Sequence, residues 1–155
     1  PGPAPSGSGA PGGPGHQPPT DNLTFLRGVQ LTNRRGVAEF ATIYPGWYQG
    51  RAIHIHVKVH IGGSIAAGAY TGGHVSHTGQ FYFDEGVTEQ VAKLAPYNTN
   101  TTTRITNAQD FIYANGGSAG LLALAPLRHD HPPVPGGMVG TITVAVNPAA
   151  TPAPV

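Results

Sequence analysis

The 155-residue chain contains no cysteine, which excludes disulfides, zinc-thiolate centres and cysteine nucleophiles. Any metal would have to be held by His, Tyr, Asp or Glu. Charge is also scarce: Asp, Glu, Lys and Arg make up 10% of the residues and the formal net charge is +1. Binding a polyanion requires clustered Lys and Arg, yet Arg34 and Arg35 are the only adjacent basic pair. A nucleic-acid partner is therefore not expected. No apolar run approaches the roughly 20 residues needed to cross a bilayer, and no charged-then-apolar leader opens the chain. No membrane partner is expected either. The chain begins on Pro1 rather than Met, so an upstream segment, removed by processing or by design, is anticipated.

What the chain has in quantity is Gly and Pro, 23 and 16 residues, and much of both lies at the ends. Residues 1–19, PGPAPSGSGAPGGPGHQPP, hold thirteen Gly or Pro without the strict Gly at every third place that a collagen helix needs. This reads as a flexible loop or linker. The end of the chain, residues 149–155, has similar character and reads as an extended tail. Between them, residues 20–148 have ordinary apolar content and a length suited to one domain with one core.

Within that domain FLRGVQLT and VAEFATI are β-branched or aromatic runs separated by NRRG, which predicts a hairpin turning at Gly36. RAIHIHVKVH alternates strictly, with Ile53, Ile55, Val57 and Val59 on one face and His54, His56, Lys58 and His60 on the other. It is the clearest strand in the chain. QFYF, LLALAPL and GTITVAVNP predict further strands. One helix is expected in DEGVTEQVAKLA, acidic at its start, carrying Lys93 near its end and stopped by Pro96. Many short strands, one short helix and Gly/Pro-rich turns imply an all-β fold, an antiparallel β-sandwich or barrel.

The chemistry concentrates in YPGWYQGRAIHIHVKVH, residues 44–60. On one strand face the backbones of His54 and His56 lie roughly 6 to 7 Å apart, so their imidazoles can converge on one ion. Tyr48 stands six residues before His54. A phenol, with an ordinary pKa of about 10, is a poor ligand for most divalent ions, whereas a hard trivalent ion can deprotonate and hold it. One Tyr with two His therefore points to ferric iron more than to zinc.

PGWYQGRAIHIHVKV, with HTGQFYF downstream, resembles the intradiol ring-cleaving dioxygenases, non-haem Fe(III) enzymes that open catechols between their two hydroxyls. The likeness extends through PYNTNTTTRITNAQDFIYANGGSAGLL to GTITVAVNP, about four fifths of the chain, and is strongest to the secreted single-domain branch. It implies an antiparallel β-sandwich, Fe(III) as cofactor, a small aromatic diol and O2 as partners, and an extracellular location. By position it makes Tyr48, His54 and His56 metal ligands, with Tyr48 the tyrosine that substrate displaces and that can then accept a substrate proton. It makes Arg51 the stabiliser of charge on the ring, Gln80 a polar residue of the pocket and Trp47 part of its aromatic wall. The family also uses a second tyrosine, upstream of the Pro/Gly-rich loop. That residue is expected in coding sequence before Pro1, and Tyr44, on the strand before the turn, reads as core or rim.

The other reading of the same residues is a binding or structural module with a degenerate metal site. His60 is expected at the solvent rim, and His74 and His77 either line the pocket mouth or are simply exposed or satisfied. His129 to His131, HDH, precede a Pro-rich loop with no second ligand set. NLT at Asn22 and NTT at Asn100 match the glycosylation pattern, a triplet common by chance.

Overall fold

The computed structural model describes residues 26–127 and 136–152. The expected linker at residues 1–19, the glycosylation triplet at Asn22 and the HDH motif lie outside them. Four strands and two short α-helices follow one another in the order β1 (His54–Ala66), β2 (Ala69–Tyr82), α1 (Glu85–Val91), α2 (Phe111–Ala114), β3 (Ala123–Pro126) and β4 (Met138–Thr141). Three single 3-10 turns, Tyr97–Thr99, Asn107–Gln109 and Gly117–Gly120, flank α2. The class is all-β and its strand pairs are antiparallel.

The ladders join into two two-stranded sheets, β1 with β2 and β3 with β4, so among the described residues the ladders do not assemble the expected sandwich layers. The expected single helix is corrected to two. The second forms because Asp110 caps it, its side chain accepting from the backbone N–H groups of Ile112 and Tyr113, and so short a segment carries no helical periodicity.

The strand predicted from RAIHIHVKVH is present and longer than its apolar alternation suggested. Its partner β2 begins at Ala69, well before QFYF. The glycines of AYTGGHV hid this part of the strand, because glycine carries a low strand propensity. A two-residue loop, Ala67 and Gly68, joins the strands, both residues having positive φ, +50° and +76°. Such turns match the right-handed twist of a hairpin. The register shifts between Val59 and His60, leaving Ser76 as an extra, buried residue on β2. Its hydroxyl donates to Asn147 O (3.1 Å), and His74 Nε2 donates to Pro148 O (2.9 Å). These bonds hold Asn147 and Pro148 against the hairpin.

Of GTITVAVNP, the paired part ends at Thr141. Ile142, Val144 and Val146 keep their alternating partial burial but join no ladder. LLALAPL yields β3, and Leu121 before it makes a parallel bridge to Tyr82. The predicted first hairpin has its turn, with Asn33 Oδ1 accepting from Arg35 N and Val37 N and Gly36 at φ +76°, but no strands. Residues 26–43 are exposed on every face, and a ribbon with no apolar face to bury gains too little to hold a ladder.

Among the described residues the core is small: Ala52, Ile53, Tyr82, Phe83 and Val91 are its buried apolar members. Helix α1 packs on it through Thr88 and Val91, started by Asp84, whose side chain accepts from Val87 N (3.1 Å). Glu85 ties this helix to the following loop, accepting from Asn107 N (2.6 Å) and pairing with Arg104 (2.5 Å). No helix of the described residues is long and apolar enough to cross a membrane.

The left-handed conformation costs a non-glycine residue about 1–2 kcal/mol, and Asn tolerates it best because its side chain hydrogen-bonds locally. Ala67→Asn should therefore stabilise the protein by about 0.5–1 kcal/mol, seen as a higher urea midpoint with an unchanged slope.

Candidate functional site

A turn at residues 49–50 and bends at Arg51 and Ile53 lead from the Tyr48 segment into β1. They bring Tyr48 back over the first residues of the strand, with its ring centroid 5.9 Å from that of His54. The strand's alternation then sets His54 and His56 side by side, centroids 4.8 Å apart, with their Nε2 atoms at 3.1 Å. Two nitrogens bound to one ion at roughly 2.0–2.1 Å and near a right angle are separated by about 3 Å, so this spacing suits a shared metal.

His54 is oriented from behind. Its Nδ1–H donates to Ala52 O at 2.7 Å, which leaves Nε2 as the atom with a lone pair to offer, the usual arrangement for a ligating histidine. Burial pushes its imidazole pKa down to about 4, so the ring is neutral at ordinary pH. The Tyr48 phenol is raised by burial, opposed by the neighbouring Arg51 cation, and stays protonated until something stronger than a proton claims it. Among the described residues no group of three or more His, Cys, Asp or Glu could hold a metal. The donors here are two imidazoles and a phenol, a set fitted to a hard trivalent ion.

Arg51 lies directly behind these groups and is buried, 8% exposed. Its Nη2 donates to Gln80 Oε1 (2.5 Å) and to Tyr82 Oη (3.2 Å), while Tyr82 Oη–H donates to the same Gln80 oxygen (2.6 Å). Its Nε donates to Asp110 Oδ2 at 2.8 Å. Burial alone would lower the guanidinium pKa, but the bond to Asp110 and that residue's charge outweigh it and raise it. The cation is permanent.

Gln80 comes from β2, opposite His56 in the register. The strand is held there by the turn Gly117–Gly120, and both terminal glycines are required: a Cβ on Gly117 would lie 2.7 Å from Ile112 O, and one on Gly120 would strike Gln80 O. Beside this turn runs a groove of about 460 Å³, with His56, Gln80 and Tyr82 on its wall and Ile112, Ile142 and Val144 among its apolar lining.

Tyr48, Arg51, His54, His56 and Gln80 thus come together. Trp47 is fixed differently, its indole N–H donating to Thr102 O (2.7 Å) and its carbonyl accepting from Asn100 Nδ2 (2.9 Å). Tyr44 points away, into the packing against α1, sharing a 2.6 Å hydrogen bond with Thr88 Oγ1 and stacking on Phe83 at 4.4 Å. His77 lies along the groove, whereas His74 is bound to Pro148 O. Two residues to which the sequence assigned no part in the site, Asp110 and Tyr82, are the most buried polar members of the cluster. An Asp directly before FIYA carries the pattern of a helix cap, but nothing in the sequence pairs it with Arg51.

No protein-family model matches the chain, and no curated protein matches it. Among solved structures, an intradiol ring-cleavage dioxygenase from Tetranychus urticae superposes with a TM-score of 0.70 at 31% identity, over 86% of this chain and 59% of that one. A second structure, of a dioxygenase, gives a TM-score of 0.69 at the same identity and coverage. The chain resembles the intradiol ring-cleavage dioxygenases in both fold and sequence. It spans 59% of the length of these dioxygenase structures, and the region it shares with them takes in most of its own residues.

Tyr44 offers a check on which tyrosine belongs to the site. Burial pushes its phenol up to about 12 from 10.0, so folding favours the protonated form, and the stability this gives is present below pH 10 and lost as pH rises toward 12. Tyr44→Phe should cost about 1–2 kcal/mol near neutral pH by leaving buried Thr88 unpaired. It should also flatten the loss of stability between pH 10 and 12 and leave metal uptake unchanged. Urea unfolding across that range, with metal analysis, reads all three.

Proposed function

We propose that this chain carries the ferric site of an intradiol dioxygenase and cleaves catechol-type aromatics between their hydroxyls, incorporating both atoms of O2 to give muconic acids. The observation that supports this best is the pair of facing imidazole nitrogens beside Tyr48 with the buried Arg51 cation behind them. Tyr48, His54 and His56 would hold the metal. Bound Fe(III) would act as a Lewis acid that holds the diol and makes its ring reactive toward O2.

The chain's own residues do the rest. Tyr48, which the metal would hold as a phenolate, would be able to take a substrate hydroxyl proton when the diol binds. Arg51 faces that region as a fixed cation and stabilises negative charge as it grows on ring and oxygen, a contribution that is largest where water is excluded. Gln80, whose carbonyl oxygen is already occupied by Arg51 and Tyr82, presents its amide group to the pocket. The apolar groove beside it accepts the ring's hydrocarbon edge, whereas Trp47, bonded to Thr102, is not among the groove's lining. On this reading the two small sheets belong to the antiparallel β-sandwich of a secreted enzyme, and the likeness to the dioxygenase structures supports that architecture.

A tyrosinate bound to ferric iron absorbs visible light. Reconstitution with Fe(III) should turn the protein red-brown, and catechol should then drive O2 uptake. His56→Ala should lose both iron retention and uptake. A colourless, iron-free protein after reconstitution, or uptake unchanged in the variant, would overturn the assignment and favour the non-catalytic module.

A further inference from the structure

We infer that Asp110 is the positioning residue of this site, setting both the direction of the Arg51 guanidinium and, through one peptide, the ring of His54; the inference rests on the dioxygenase reading above. Asp110 is fully buried, 0% exposed, and its carboxylate accepts four short hydrogen bonds, at 2.8–2.9 Å, from N–H groups on two separate parts of the chain. Oδ2 accepts from Arg51 Nε and from Ala52 N, each at 2.8 Å. Oδ1 accepts from Ile112 N and Tyr113 N, each at 2.9 Å.

The consequence for Arg51 is directional. A guanidinium is a planar fork of five donors, and occupying Nε with a rigid carboxylate fixes the plane. Nη2 is then aimed at Gln80 and Tyr82, and is only loosely placed toward Asp110 Oδ1 at 3.5 Å. Without that bond the side chain keeps its charge but loses its orientation. The consequence for His54 runs through Ala52, whose N–H is held by Asp110 while its carbonyl accepts from His54 Nδ1. One carboxylate therefore aligns the charge stabiliser and the backbone group that orients a ligand.

The carboxylate also links the site to the groove. Its other oxygen starts α2, which supplies Ile112 to the groove wall. Burial by itself would raise the Asp110 pKa, but the Arg51 bond and the N–H groups of Tyr113 and Ala52 hold it below the ordinary value, so the group is a carboxylate throughout the working range.

Two variants separate this role from helix capping. Asp110→Ser keeps a hydroxyl that caps α2 but cannot reach Arg51, whereas Asp110→Asn keeps shape and loses charge. In the full chain loaded with Fe(III), both should lower kcat for catechol about tenfold or more, leave KM within about threefold, and retain the tyrosinate colour with a shifted band. Combined with Arg51→Lys, Asp110→Ser should add little further loss, because both changes remove one interaction. In the iron-free chain, NMR should show the Arg51 Nε–H protected from solvent exchange in the unmodified protein and exchanging freely in Asp110→Ser.

Wild-type kcat in both variants, or fully additive losses with Arg51→Lys, would overturn the inference. Should neither variant fold, a freely exchanging Arg51 Nε–H in the unmodified protein would overturn it and a protected one would uphold it. An unmodified protein that binds iron without turnover would sink the dioxygenase reading alone, since the NMR comparison still decides the positioning role.

Discussion

The ion pair between Arg51 and Asp110 is the constraint on which the site depends. Both partners are out of water, and removing one member of such a pair typically costs about 3–5 kcal/mol because the other is left charged and unpaired. The two residues stand 59 apart in sequence, so the pair closes the loop between the entry to β1 and the start of α2. Everything between them, the hairpin, helix α1 and the 3-10 turns, is held as a closed unit by that contact. Asn107 and Glu85 repeat the device nearby. The Asn107 side chain donates to Phe83 O (2.8 Å), and its backbone N–H to Glu85. A chain with so small an apolar core relies on such buried polar closures, which are costly to leave incomplete.

What was legible in the sequence was local. The strand through His54 and His56 could be read from side-chain alternation alone, because a period of two belongs to no other element. Tyr48 and Arg51 could be placed by their spacing to the histidines, and α1 by its acidic start and the proline beyond its end. What was not legible was whatever depends on distant partners. Tyr82 looked like part of a short apolar strand, QFYF, yet its hydroxyl completes the Arg51 and Gln80 cluster. Asp110 lies in a polar loop sequence that could as well be exposed. The first hairpin failed for the opposite reason: its turn is local and present, but strands need a surface to cover, and no spacing of Val and Phe reveals whether one exists.

Glycine misled in the same direction. AYTGGHV carries no strand pattern, although Gly63 and Gly73 in this ribbon lie against Tyr70, whose hydroxyl would be struck by a Cβ at either place. Glycine here marks close approach within a strand rather than a break in it. The motif NGGSAG works likewise, since its turn sits against Gln80 and Tyr82 only because Gly117 and Gly120 lack side chains.

The placement of the site follows from these closures. Tyr48, His54 and His56 sit at the root of a long hairpin, where β1 leaves the core. At the root the backbone is fixed on both sides, by Ala52 and Ile53 in the core and by the Asp110 carboxylate. Further out the same strand face carries Lys58 and His60, exposed like His56. The alternation that sets His54 and His56 on one face sets His60 there too, so periodicity cannot decide which of the three serves a metal. On the proposed ferric reading rigidity separates them, because a pair of imidazoles keeps its nitrogens about 3 Å apart only where the strand beneath cannot twist. That condition is met where the His54 ring is bonded to Ala52 and Ala52 in turn to Asp110, and those bonds extend no further along the strand.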